Sequence, residues 1–280
     1  MPQRIVSELQ ALASETRRKH PEVRQAADAA LRELQRDPDA ALATSRAQAD
    51  AAPEGGVLLQ PVLLACATKT PKVVLLAVAL LHRCVLLHAV PDSALPRVVE
   101  ALQSLTASPS RTDIDAQLRI LQTVSALITG YTGITAQLLS STLMVCFALY
   151  EHSRVAVVSS TAAATLRQSI MVVFDKVNDE DHALESIQGG GEAAALTAPL
   201  PVHTAKTPDG QVTLFPCAAD AYLLFSDLCA LANGEAASFL PLTHLARPFA
   251  LELLESVLTN HARLFASATH ESDAASTHPE

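Results

Sequence analysis

Arg167 is the side chain whose setting asks most of chemistry. It closes a stretch of small and hydroxyl residues, SSTAAATLRQ from Ser159 to Gln168, inside a helical pattern. Apolar residues there recur at 155, 158, 162, 166, 170, 173, 174 and 177, a period near 3.6. A guanidinium within such a helix must find carboxylates or carbonyls, because an unpaired buried cation is costly. Arg167 therefore either clamps a neighbouring helix or loop, or contacts another chain together with Gln168. A second basic group, Arg17, Arg18 and Lys19 followed by His20, closes the first helical pattern. Cations at that end satisfy free carbonyls and the helix dipole; the alternative is contact with an anionic lipid or partner. The first fifty residues carry eight basic and eight acidic side chains, which argues against a membrane-surface helix.

Other reactive side chains form no chemical constellation. Gly189, Gly190 and Gly191 lack the spacing of a dinucleotide loop and have no Lys-Ser/Thr after them. No His-x-x-x-His pair has a flanking carboxylate, and no cysteine pair has zinc-ligand spacing. Ser160, Ser169 and Cys229 sit in ordinary helical settings, where packing or a back-bonded hydroxyl is expected. Asp220 and Asp227, seven apart on one helical face, are read as exposed or ion-paired rather than as an acid–base couple. No catalytic, cofactor-binding or metal-ligating residue is nominated. The expected function is non-enzymatic, with no cofactor.

These residues are carried by helices. The first has Ile5, Leu9 and Leu12 on one side; the second opens at Pro21 and runs through Val23, Ala26, Ala27, Ala30, Leu31 and Leu34. A connector at 51–56 precedes helices at 57–67, 71–88 and 92–107, with Thr70-Pro71 and Pro91-Asp92 as start signals. Helices at 113–128 and 134–150 pair around Gly130-Tyr131-Thr132-Gly133, and a long one spans 154–177. From 178 to 215 the pattern fades into an acidic, Gly- and Pro-bearing segment, read mostly as a mobile insertion. Within it, 212–215 is either a short strand or a loop. Helices resume at 216–232 and 246–267, and 268–280 is a flexible tail. Short-turned αα-hairpins in series predict an all-α armadillo/HEAT-like solenoid of about ten helices. The boundaries drawn are one domain over 1–267, with the insertion at 178–215.

Composition agrees. Of 280 residues 49% are apolar, mostly Ala, Leu and Val, and 4% aromatic, so helices should approach closely through small side chains. A net charge of -9 gives no reason to expect nucleic acid. The longest unbroken apolar run, Val73 to Leu81, has nine residues, about half of a membrane span. The first residues lack the extended apolar core of a signal peptide. Five scattered cysteines read as reduced core thiols in a cytosolic protein.

Six blocks carry a family resemblance: HPEVRQAADAAL (20–31), LLACATKTPKVVLLAVALLHR (63–83), LRILQTVSALIT (118–129), STAAATLRQSIMVVFDKV (160–177), LFSDLCALANGEAASFL (224–240) and FALELLESVLTNH (249–261). In this order they resemble the N-terminal dimerisation and cyclophilin-binding (DCB) domain of the Mon-two family, Golgi and endosomal scaffolds related to the BIG and GBF Arf exchange factors. The resemblance implies an armadillo-like module that engages itself or the adjoining upstream helical domain. It implies no exchange activity, since the chain ends before any exchange domain would begin. It further implies Dopey-family and flippase partners, proximity to an Arf-like GTPase, and a cytoplasmic, peripheral location on trans-Golgi and endosomal membranes, with membrane association indirect. Stretches 35–56 and 183–215 depart from the family pattern.

Overall fold

A computed structural model describes residues 2–36, 56–107, 112–188, 202–207 and 210–265. Ten α-helices of three turns or more lie among them, in two compact units divided between Leu166 and Arg167. The expected all-α class holds.

Unit 1 contains α1 (Pro2–Glu15), α2 (Pro21–Arg36), α3 (Gly56–Ala67), α4 (Pro71–Leu86), α5 (Leu95–Thr106), α6 (Ile114–Gly130), α7 (Ala136–His152) and the start of α8 (Ala156–Gln188). Helix packs on helix in sequence, α1 on α2, α2 on α3, α3 on α4, while α4 also meets α1 and α6, and α7 meets α5 and α6. This is an armadillo-like stack of hairpins. Its origin is visible in α2, where the six apolar residues named above are the buried ones. Three of them are alanines, so the neighbouring axes can come close. In α1, Ile5, Leu9 and Leu12 are fully buried.

Start signals act less directly than expected. Thr70 precedes α4 but makes no side-chain cap; its hydroxyl lies 3.2 Å from His20 Nε2 instead. Pro91-Asp92 opens a 3-10 turn, Asp92–Ala94, and α5 begins only at Leu95. Asp113 does cap α6, its carboxylate accepting from the Asp115 N–H at 2.9 Å. In the α6–α7 turn the His88 ring lies over Gly130, where an added Cβ would sit 3.2 Å from it.

Unit 2 holds the rest of α8, an antiparallel ribbon, α9 (Pro216–Asn233) and α10 (Arg247–Asn260). Helix α8 does not stop near 177 but continues through 178–188. The ribbon pairs β1 (His203–Thr207) with β2 (Gly210–Leu214), His203 opposite Leu214. Thus the strand alternative holds, two residues earlier than placed, and the partner strand was not anticipated. The expected resumption of α2 toward 49, the connector at 51–55 and the tail at 268–280 lie outside the described residues.

By length and composition, Ala156–Leu184 is apolar enough to cross a membrane, with mean hydropathy 1.3. Half of its most apolar stretch is buried within the protein, and the helix as a whole carries the charged Arg167, Asp175, Lys176, Asp179, Glu180 and Asp181. A core helix accounts for both facts.

Candidate functional site

Arg167 leaves α8 toward α10. Its Nε donates to Glu252 Oε1 at 2.7 Å, and Nη2 reaches the same oxygen at 2.6 Å. The guanidinium carbon sits 5.4 Å from the centre of the Phe249 ring, within cation–π range. The side chain is 35% exposed and that of Glu252 47%, so the ion pair is screened by water rather than deeply buried. Gln168, beside it, is exposed. Arg17, Arg18 and Lys19 occupy the α1–α2 turn, all exposed. The end of α1 is served by other groups: the Thr16 hydroxyl and N–H both donate to Leu12 carbonyl oxygen. Structure therefore holds Arg167 and Gln168 in one unit and the basic triplet in the other.

Two acidic residues were misread. Asp220 and Asp227 are not on a solvated face but 4% and 2% exposed. Asp227 accepts from the N–H groups of Ser238 and Phe239 at 2.8 Å and of Leu240 at 2.5 Å, and from the Ser238 hydroxyl at 3.2 Å. It fastens the loop between α9 and α10. The signal that could have found it was its position opposite a loop rich in small residues, Gly234 to Ser238, that has few side chains able to satisfy its own N–H groups.

A titratable cluster in unit 2 also escaped the sequence. Glu180, on the extension of α8, accepts from the N–H groups of Cys217 and Ala218, both at 3.0 Å. It thereby caps α9, whose N-cap Phe215 has no side chain able to do so. Burial, then the nearby Glu180 carboxylate, pushes the Cys217 thiol up to about 12. Burial likewise lowers Lys176, with Cys217 and Asp220 opposing. A thiol held protonated is the reverse of what nucleophilic catalysis uses. Cys66 and Cys84 are pushed up to about 12 by burial, and Cys146 is raised for the same reason. Among the described residues no group of three His, Cys, Asp or Glu could hold a metal ion.

An aromatic cluster completes unit 2. Phe174, Phe225 and Phe265 pack with ring centres 5.0–6.5 Å apart, and the His261 ring lies 5.6 Å from Phe174. His261 is 7% exposed, its Nε2 3.6 Å from Asp175 Oδ1. These contacts add packing energy. The geometry thus combines exposed charged groups with two carboxylates, half-buried Glu180 and buried Asp227, that are hydrogen-bonded to backbone N–H groups.

Comparison with known proteins fits this picture. Residues 1–181 match the family model for the dimerisation and cyclophilin-binding domain, Mon2/Sec7/BIG1-like. Residues 217–278 match the HUS domain model of the same group. Protein MON2 homolog from Xenopus laevis is 32% identical over 264 residues, covering 92% of this chain and 14% of that protein. The Homo sapiens protein of that name is 32% identical over 260 residues, with the same coverage. Protein MON2 from Saccharomyces cerevisiae is 26% identical over 278 residues, covering 93% of this chain and 15% of its own length. The chain spans about a seventh of the frog and human proteins. With the first model matching well over half its residues, the chain belongs to the Mon2/Sec7/BIG1-like family and carries that family's dimerisation and cyclophilin-binding domain.

Proposed function

We propose that this chain is a non-catalytic scaffold domain that brings protein partners together in endosome-to-Golgi membrane traffic. The observation that carries the reading is the DCB match over 1–181, laid on a hairpin stack of the kind used elsewhere as a binding surface. The contacts proposed are self-association and docking to the adjoining HUS region. A Dopey-family protein and an Arf-like GTPase are the further partners this reading implies. The location proposed is cytoplasmic, peripheral on trans-Golgi and endosomal membranes, with membrane association through those partners.

Self-association is tested by light scattering over a concentration series. The expected result is a mass that rises toward twice 29.6 kDa at high micromolar concentration. A constant monomer mass rejects homodimerisation and moves the docking role to another chain.

A further inference from the structure

Four exposed cations at two neighbouring helix turns have no ionic partner among the described residues. Arg17, Arg18 and Lys19 stand in the α1–α2 turn and Lys69 in the α3–α4 turn. The turns lie side by side: His20 Nε2 is 3.2 Å from Thr70 Oγ1, and Lys72 Nζ is 2.6 Å from Glu15 Oε2. Nearby acids are engaged, Glu15 by Lys72 and Glu22 by His20 Nδ1 at 3.6 Å. Helix capping does not use the triplet, because Thr16 and backbone N–H groups take the recorded bonds at the end of α1.

Lys69 adds an independent observation. Its φ is 53°, the left-handed conformation in which helices prefer to end on glycine or asparagine. A side chain there is strained, and strained positions concentrate where the side chain is used. Beside Lys69 a cleft of about 110 Å³ is lined by Pro71, Val74, Ser104, Leu105 and Thr112. It offers a notch of mixed polar and apolar lining next to the exposed positive charge.

We propose that the α1–α2 and α3–α4 turns form a docking site for an acidic protein segment. Its carboxylates lie along Arg17, Arg18, Lys19 and Lys69, and an apolar side chain enters the notch. This rests on the scaffold reading above and gives one of its partners a chemistry. A protein segment fits better than a bilayer because the large exposed apolar side chains include none from these turns, so nothing would insert among lipid tails.

The test is fluorescence anisotropy of a labelled peptide of Glu-Glu-Leu repeats, titrated with the full chain. Saturable binding is expected at about 50 mM salt and much weaker binding at about 300 mM. The double variant Arg17→Glu, Arg18→Glu should weaken it at least about tenfold. Arg154→Glu reverses one exposed charge in the α7–α8 turn, away from the site, and should leave affinity unaltered. Lys69→Gly should raise the Tm, by relieving the left-handed strain, while weakening the peptide. Absence of saturable binding, equal loss with Arg154→Glu, or a Lys69→Gly variant that is more stable yet binds as before overturns the site. So does sedimentation with phosphatidylserine vesicles in the absence of peptide binding. A chain that self-associates in light scattering but ignores the peptide defeats this inference and leaves the scaffold reading standing.

Discussion

A carboxylate that is 2% exposed persists only if its oxygens are fully hydrogen-bonded, and Asp227 meets that condition with three N–H groups and one hydroxyl. Asp227→Ala would leave those N–H donors unsatisfied in the α9–α10 loop. Charge-assisted bonds of this kind and the orphaned donors together suggest a loss of about 3 kcal/mol. Urea denaturation should show it as a lower midpoint, with Asp227→Asn intermediate because its amide keeps one acceptor oxygen. Arg167 is a different case despite its similar prominence in the sequence. At 35% exposed, paired with a 47% exposed Glu252, it contributes at most about 1 kcal/mol through the ion pair. Arg167→Ala and Glu252→Ala should be individually mild and non-additive in a double-mutant cycle. A loss above about 3 kcal/mol for Arg167→Ala alone would contradict this geometry. Periodicity could place Arg167 in an apolar helix, but could not say that its long side chain reaches the surface past Phe249.

Among the elements, the ends of α9 show how differently two termini are secured. Its start borrows the Glu180 carboxylate from α8; its finish uses Gly234 at φ 85°, the left-handed closing residue glycine favours. Nothing lies within 4 Å of a Cβ placed on Gly234, so Gly234→Ala is penalised by backbone conformation alone, about 1 kcal/mol. Glu180→Gln keeps one of the two acceptor oxygens and loses the other along with the charge at the helix dipole, and should cost less than Glu180→Ala. Thermal denaturation of the three variants orders the contributions; a neutral Glu180→Ala would remove the capping role. Helices themselves were legible because their apolar spacing is local: all six buried residues of α2 follow from it. The cap at Glu180 was not, since it joins residues 37 and 38 apart and carries no local pattern. The extension of α8 through 178–188 was missed for a related reason. Asp179, Glu180 and Asp181 read as a polar exit, whereas one of them is the cap for another helix. The basic triplet could be seen as a group from its letters, but its neighbour Lys69 is fifty residues away and joins it only through the fold.

For the molecule as a whole, the cysteines report where the core is. Cys66, Cys84 and Cys146 are buried in unit 1, while Cys229 is exposed. Alkylation of the native chain should therefore begin at Cys229, and the three buried thiols should label only after unfolding. Their shifted ionisation also gives stability a pH dependence. A cysteine thiol titrates ordinarily near 9.0, whereas Cys66 and Cys84 in the folded chain are held protonated up to about 12. Between those values the unfolded chain gives up protons that the folded chain retains, so the folded state is disfavoured progressively as pH rises. Below about 9 both states keep the proton and the effect vanishes. Urea midpoints at about pH 8 and about pH 10 should thus fall, and fall less steeply in Cys66→Ala than in the parent chain. The variant will start from a lower or similar midpoint, because truncating a packed thiol leaves a small void, but the slope against pH is what isolates the ionisation. All other groups are common to the two chains and cancel in that comparison. Equal slopes would mean that the Cys66 thiol is solvated in the folded chain, and that the packing of α3 within unit 1 is looser than its 2% exposure implies.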